Sequence, residues 1–290
     1  MDLSILIVTY QSADHIRACL DSLRRQTLAR HRFETIVVDN SSTDATTAII
    51  ASEYPEVRLI RADGNLGFTG GNNLAKSFAR GRLLLLLNPD TIADPHALDE
   101  LLRLGAERAV AKLVLSPDGR TINSGGTVLL RSGWAADDGF REIDRGQFEA
   151  ERNAIAGCGA ALLVPNTPGP IFPDDYFTYY EDVAVGWEAA ARGTPTRLAS
   201  RAVVMHCCGA GGSEDSPHFQ YSTQRNRLVA TQTFADPFLA FVATLKFTMS
   251  ALLRPSRARL RAWSSVLARL PKTLVERYDA RSKRAPGVGR

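Results

Sequence analysis

Asp90 and the pair Glu181-Asp182 are the carboxylates whose settings in this 290-residue chain could do chemistry. Asp90 follows a run of five leucines, Leu83 to Leu87, and the dipeptide Asn88-Pro89. Such a run reads as a strand buried on both faces, and a proline cannot extend a central strand. In an open parallel sheet, ligands gather beyond the carboxyl ends of the strands. A carboxylate there suits a metal ion or a phosphate-bearing ligand, although Asn, Pro and Asp are also ordinary turn residues. Glu181-Asp182 follows Phe177-Thr178-Tyr179-Tyr180. One carboxylate of such a pair can accept the proton of an attacking hydroxyl. Two acids also suit a helix N-terminus, where the dipole stabilises them. His206 follows a strand-like segment and precedes Cys207-Cys208. It could ligate a metal, though a lone histidine is more often structural. Adjacent cysteines rarely reach one ion together, and a hard cation has no need of thiolates.

The elements that must position these groups alternate in type. Residues 3–8 read as a first buried strand, followed by a helix from about Asp14 to Gln26 with Ile16, Cys19, Leu20 and Leu23 on one face. Thr35 to Val38 is a second strand, ending at Asp39-Asn40. Ser42 or Thr43 can cap the next helix, which runs to about Glu53. Asp44 suits that helix better than a substrate. Val57 to Ile60 is a third strand. The glycine-rich turn Gly64 to Gly71 then leads into a short helix from about Asn72 to Ala79. Strand and helix in alternation predict a doubly wound α/β sheet. Four strand ends converge in it: Thr9-Tyr10-Gln11, Asp39, Asn65 to Asn73, and Asn88-Pro89-Asp90. Asp39 could accept from a nucleobase or a ribose hydroxyl, and a helix N-terminus near Asn72 favours a diphosphate. No G-x-G-x-x-G follows the first strand and no G-x-x-x-x-G-K-[ST] is present, which argues against a dinucleotide site and an ATPase.

Beyond residue 110 the pattern loosens. Turn signals at Pro117-Asp118-Gly119 and Gly125-Gly126 suggest a hairpin within 113–133, and Ala160 to Val164 is apolar enough for a strand. Glu181 to Arg192 reads as helix and Arg197 to Met205 as strand. Trp134, Trp187 and Tyr179 suit packing, with stacking on an acceptor open to Tyr179 or Tyr180.

Composition bounds the rest. With 44% hydrophobic residues the chain can bury a real core. No segment near Met1 reads as a signal peptide, and four cysteines with no framework spacing suggest a reducing cytoplasm. The net charge of +4 is uneven: Lys246 to Arg290 holds 12 Lys or Arg and two acids, a net of +10, which leaves −6 on the body. Residues 238–253 are apolar apart from Lys246, too short to span a membrane. With Leu260, Trp263, Val266, Leu267 and Leu270 they could instead form amphipathic helices on an anionic surface, or pack on the core. The tail lacks the aromatic pattern of single-strand nucleic-acid binders, so nucleic acid is not an expected partner.

Taken in order, several segments resemble the family-2 glycosyltransferases of GT-A fold. They are Ile7 to Tyr10, Val37 to Asp44, Gly64 to Phe68 with Gly71-Asn72, Leu87 to Asp90, Gly157 to Ala160, Phe177 to Asp182 and Arg225-Asn226. The Asn-Pro-Asp and Tyr-Glu-Asp segments look most like bacterial rhamnosyltransferases of surface-polysaccharide assembly. The resemblance implies an α/β fold of GT-A type, with a Rossmann-like, mostly parallel sheet flanked by helices and a C-terminal helical extension. It implies a transferase domain over 1–234, with a nucleotide-sugar half (1–110) and an acceptor half (111–234), and a basic helical tail over 235–290. Thr9, Tyr10, Gln11, Asp39, Asn65, Gly67, Asn72, Asn88 and Asp90 would bind the donor, with Asp39 on a pyrimidine base. Asp90, with His206 beside it, would hold Mg²⁺ or Mn²⁺. Asp182 would be the base of an inverting transfer, with Glu181 its rival; Ala184 stands where the family often has a further Asp. The implied donor is dTDP-L-rhamnose, with UDP-galactofuranose or GDP-mannose as alternatives, and a non-catalytic sugar-nucleotide binder as a rival. The implied acceptor is a saccharide or lipid-linked saccharide. The protein would lie in the cytoplasm, peripheral to the inner face of the plasma membrane, and a homodimer stays open.

Overall fold

The leucine run is the structural axis of the molecule. In this computed structural model, which describes residues 1–130, 134–207 and 216–282, the chain begins β1 (Leu3–Thr9), α1 (Ile16–Arg24), β2 (Phe33–Asp39), α2 (Thr46–Glu53), β3 (Arg58–Arg61), α3 (Gly67–Lys76) and β4 (Leu83–Leu87). β1 lies between β2 and β4, parallel to both, and β3 extends the sheet beside β2. Alternate side chains of β4 feed the two faces. Leu83, Leu85 and Leu87 pack with Leu3, Ile5 and Ile7 against Ile16 and Leu20 of α1. Leu84 and Leu86 pack with Leu6, Ile36 and Val38 on the opposite face, against Ala75 of α3 and Phe172. Each fully buried leucine contributes roughly 1.5–3 kcal/mol, so this strand alone anchors the sheet.

The second half adds β5 (Thr91–Ala93), α4 (Ala97–Arg103), β6 (Ala109–Leu115), β7 (Ile122–Ser124), β8 (Thr127–Leu129), β9 (Ala135–Asp137), β10 (Arg152–Ala154), β11 (Ala161–Pro165), α5 (Glu181–Ala191), β12 (Thr196–His206), α6 (Pro217–Phe234), α7 (Pro237–Leu253) and α8 (Arg257–Ser282). The sheet runs β10-β12-β6-β11-β4-β1-β2-β3, with β5 on β12 and β7 on β6. β11 enters antiparallel between β4 and β6, while β12 and β6 are parallel. The expected hairpin turn at Pro117-Asp118-Gly119 joins β6 to β7.

Three local expectations change. The helix after the glycine-rich turn begins at Gly67, so Asn72 is inside it and not at its start. Gly71 permits that early start, because a Cβ there would sit 2.6 Å from the Val8 side chain of β1. Neither Ser42 nor Thr43 caps α2; Ser42 Oγ accepts from Gln11 N and Thr43 Oγ1 from Gln11 Nε2. Asp44 supports that helix instead, accepting from Thr46 N at 3.1 Å. Trp263 and Val266 do not share the exposed stripe with Leu260, Leu267 and Leu270. Val266 is buried, and the half-buried Trp263 donates its indole N–H to Thr248 Oγ1.

The C-terminal helices share a core with α5, α6 and the segment before α5. Phe247, Ala262 and Val266 pack with Tyr176, Ala184 and Leu228. Asp175 receives Arg269 of α8 at 2.6 Å, with Lys272 at 3.4 Å and Arg225 of α6 at 3.6 Å. Burial would raise the Asp175 carboxyl, but Arg269 and the other cations hold it down at about 2.

Candidate active site

The carboxyl ends of β1, β2 and β4 form one rim. Thr9 and Asp39 are buried neighbours: Thr9 Oγ1 donates to Asp39 Oδ1 at 3.0 Å, and Ser42 N donates to Asp39 Oδ2 at 2.9 Å. Tyr10 and Gln11 are exposed beyond them, Gln11 with a φ of 54°. Asn65 Oδ1 accepts from Gly67 N at 2.9 Å and so ties the glycine-rich turn to the start of α3. Asn40 Nδ2 donates to Gly67 O at 3.0 Å. Asn72 is buried, with Nδ2 on Phe68 O and Oδ1 without a partner in the protein. Asn88 is held through its backbone, its N donating to Ala160 O at 3.1 Å and its O accepting from Thr91 Oγ1 at 2.7 Å.

Asp90 is buried where β4 turns into β5, and β5 pairs with the end of β12, which carries His206. His206 Nε2 lies 3.3 Å from Asp90 Oδ1, and His206 Nδ1 lies 2.8 Å from Asn123 Oδ1. Burial alone would raise the Asp90 carboxyl; the hydrogen bond and charge of His206 hold it below its ordinary value. With Asn123 accepting from Nδ1–H, Nε2 is aimed at Asp90 or at a cation beside it. Among the described residues no three His, Cys, Asp or Glu side chains cluster for a metal. One carboxylate and one imidazole therefore fit a divalent cation that takes its remaining ligands from a diphosphate and water. Cys207 serves this corner through its backbone, donating to Asp90 O at 2.8 Å. Cys208 lies outside the described residues.

Glu181 and Asp182 open α5, as acids at a helix N-terminus should. Asp182 Oδ2 accepts from Gly159 N at 2.8 Å and Oδ1 from Val183 N at 2.7 Å. Burial raises the Asp182 carboxyl against those two N–H groups. Glu181 is buried deeper in effect: its Oε2 has no partner, and burial together with the Asp182 charge lifts its carboxyl well above the usual range. Burial thus raises both carboxyls, and the two share one buried corner at the head of α5.

The turn before α5 is strained. Phe177, Tyr179 and Tyr180 have φ of 63°, 68° and 70°. With Gln11 and Ser41, they make five of the six non-glycine residues at positive φ among the described residues, and all five lie at strand ends or just before Glu181-Asp182. Asn226 of α6 holds the turn, its Nδ2 donating to Tyr176 O at 3.0 Å, Thr178 O at 3.0 Å and Tyr179 O at 2.8 Å. Phe177 O accepts from Thr69 N at 3.1 Å, and its ring covers Gly67. The glycine-rich turn and the turn that leads into α5 are therefore in direct contact. Tyr180 Oη bonds the backbone of Ala135 and Tyr179 packs edge-on against Phe219.

Sequence reasoning passed over Asn123 and Asp137, and placed Gly159 and Asn226 within family-like segments without giving either a role. Asp137 lies in β9 with Ser124 Oγ donating to it at 2.7 Å. Burial lifts its carboxyl to about 6, Ser124 and His206 opposing and the Asp182 charge adding to the rise. Asn123 and Ser124 stand just before Gly125-Gly126 and read as hairpin residues; only the folding of β7 onto β6 gives them roles.

A parallel sheet with β11 inserted antiparallel, carboxylates at its strand ends and a second acid pair opening a helix define a GT-A type glycosyltransferase fold. The S. aureus TarS 1–349 complex with UDP-GlcNAc superposes with a TM-score of 0.63, covering 98% of this chain and 88% of that one at 17% identity. GalNAc-T7 with UDP, GalNAc and Mn²⁺ superposes at 0.68, covering 96% and 58% at 12% identity. The chain belongs to glycosyl transferase family 2, whose profile matches residues 4–160. Among curated relatives, the succinoglycan biosynthesis protein ExoO of Rhizobium meliloti is 36% identical over 127 residues, 42% of this chain and 36% of its own length. The N-acetylglucosaminyl-diphospho-decaprenol L-rhamnosyltransferase of Mycobacterium tuberculosis is 27% identical over 236 residues, 70% of this chain and 75% of that protein. The chain spans only 13% of the O-antigen biosynthesis protein RfbC of Myxococcus xanthus, at 32% identity.

Proposed function

We propose that this protein is an inverting, metal-dependent glycosyltransferase of cell-surface polysaccharide assembly. Its donor is dTDP-L-rhamnose and its acceptor a saccharide or lipid-linked saccharide. The observation that carries the reading is the pairing of two carboxylates in different states: Asp90 held charged beside His206, and Asp182 raised by burial at the head of α5. The first suits a cation-bound diphosphate and the second a base. Residues 1–110 supply the donor side and 111–234 the acceptor side.

Asp39, with Thr9 and Ser42 fixing its carboxylate, receives the base, and the turn at Asn65-Gly67 faces the diphosphate. Asp90 and His206 would hold Mg²⁺ or Mn²⁺, which when bound neutralises the departing nucleoside diphosphate. Asp182 takes the proton of the acceptor hydroxyl as that oxygen bonds the anomeric carbon and the carbon–diphosphate bond breaks on the opposite face. A carboxyl raised by burial is a stronger base than a solvated one, while Gly159 and Val183 N–H fix its direction. The basic tail would keep the protein at the anionic inner face of the plasma membrane, beside a lipid-linked acceptor.

The relative named as an L-rhamnosyltransferase supports the rhamnosyl donor. The UDP-GlcNAc complex of TarS favours a uridine sugar as the second reading. A panel of dTDP-, UDP- and GDP-sugars, scored for metal-dependent release of nucleoside diphosphate, separates them. Turnover of dTDP-L-rhamnose is expected. Turnover of a UDP-sugar alone would transfer the reading to uridine, and none with any sugar would leave a non-catalytic binder.

A further inference from the structure

α7 is apolar on two opposite faces. It has a single charged residue, Lys246, in 17 positions. Ala240, Ala243, Phe247 and Ala251 face inward and are buried. At 3.6 residues per turn, Phe238, Phe241, Leu245, Met249 and Leu252 fall within an arc of about 80° on the other side. They are 72%, 64%, 50%, 46% and 69% exposed. α8, which packs against α7 through Trp263 and Thr248, carries a second stripe. Leu260, Leu267, Leu270, Leu274 and Tyr278 again fall within about 80°, and Tyr278 is 75% exposed. Contiguous apolar exposure on this scale marks a surface that something covers.

We propose that the exposed stripes of α7 and α8 insert into the interfacial layer of an anionic lipid bilayer, with the helices lying in its plane. Charge selects the occupant. The segment from Lys246 onward carries a net +10, and Arg254, Arg257, Lys272 and Arg281 are exposed along these helices. A second copy brought onto the same face would set two such cationic segments against each other. A bilayer of anionic lipid offers apolar depth and negative charge together. No described helix is long and apolar enough to cross a membrane, which leaves the in-plane orientation. The inference deepens the reading of a lipid-linked acceptor and rests on it for its purpose, but binding is tested without turnover. It also departs from a purely electrostatic tail: the stripes hold the protein and the cations choose the lipid.

Co-sedimentation of the full chain with vesicles tests this, using phosphatidylcholine alone and phosphatidylcholine with phosphatidylglycerol. Binding to the anionic vesicles is expected, with a part that persists at roughly 0.5 M salt, where the Debye length is only a few ångströms. The triple variant Phe238→Ser, Phe241→Ser and Leu245→Ser should bind at least tenfold more weakly at both salt levels. It should keep the wild-type thermal transition and its turnover of a soluble nucleotide sugar. Arg254→Gln with Arg257→Gln should weaken binding at low salt only. Three results overturn the proposal: no sedimentation of wild type with anionic vesicles at low salt, a triple variant that sediments like wild type, or light scattering of a wild-type dimer that the triple variant converts to monomer. The last would assign the stripe to a second copy. A vesicle-binding chain that turns over no sugar would overturn the proposed activity and leave the surface standing.

Discussion

Replacing Asp182 by Asn should slow transfer by roughly 10²–10⁴-fold, the usual worth of a positioned base, or about 3–5 kcal/mol in the barrier. The local geometry says what else changes. Both carboxylate oxygens accept from backbone N–H groups, Gly159 at 2.8 Å and Val183 at 2.7 Å. A carboxamide can accept only one; its NH₂ must face the other donor, leaving a buried N–H unpaired at a cost of about 1–3 kcal/mol. Against this, the substitution removes a buried negative charge that opposes Glu181. The two effects offset, so the unfolding free energy should change by less than about 2 kcal/mol. Nucleoside diphosphate affinity, set at Asp39 and Asp90, should not change. The wild-type rate should rise with pH along a limb displaced above the ordinary aspartate range, because burial raises the Asp182 carboxyl. That limb should vanish from the residual activity of Asp182→Asn. The assay is steady-state release of nucleoside diphosphate, with urea unfolding and calorimetric titration on the same samples. A variant retaining a tenth of wild-type kcat, alongside a dead Glu181→Gln, would assign the base to Glu181 and refute the argument.

Asp90→Ala should abolish metal-dependent turnover and the effect of Mn²⁺ on nucleotide affinity while the thermal transition persists; full activity in EDTA would remove the cation from the reading. Gly67→Ala should cost about 2–4 kcal/mol in urea unfolding and weaken nucleotide binding, since φ is +70° there and a Cβ would lie 2.5 Å from Phe177 O. Arg269→Met should destabilise by about 3 kcal/mol at pH 7 by leaving Asp175 short of its buried partner. The folded Asp175 carboxyl is depressed to about 2, so its contribution is present above the unfolded value near 4 and is lost as pH falls towards 2. The gap between wild type and Arg269→Met, read by urea unfolding, should therefore narrow between pH 4 and 2; a gap independent of pH would separate Arg269 from Asp175.

The strands and their ends were legible because burial writes itself into composition. Leu83 to Leu87 predicts both the strand and its two-faced burial, and the site follows at its carboxyl end. The start of α3 was not legible, because Gly67, Gly70 and Gly71 read as a turn and are poor helix formers. They are helical since the helix lies close on β1, and Val8 leaves no room for a Cβ at position 71. Ser42 and Thr43 were legible as caps but are diverted to Gln11, a residue 31 or 32 positions away. The same holds for the side chains that orient the site. Asn123 reaches His206 across 83 residues, and Asn226 reaches the aromatic turn across 47 to 50. No local pattern encodes such distances.

The aromatic turn explains why those distant contacts matter. Holding Phe177, Tyr179 and Tyr180 at positive φ costs roughly 1–2 kcal/mol each. The two N–H donors of Asn226, shared among three carbonyls, return about 0.5–1.5 kcal/mol apiece, so the hydrogen bonds offset part of the strain. Neither a relaxed turn nor an unclamped one would leave α5 where it is. The left-handed conformation aims Tyr179 at Phe219, Tyr180 at Ala135 and the Phe177 carbonyl at Thr69. Through those contacts the first turn of α5 is fixed against the donor loop on one side and Gly159 on the other. On the proposed reading, a base that meets an acceptor hydroxyl on the face opposite the leaving diphosphate needs that constraint more than a relaxed backbone. Strain concentrated beside Asp182, and offset by one buried carboxamide, is the arrangement such a requirement selects.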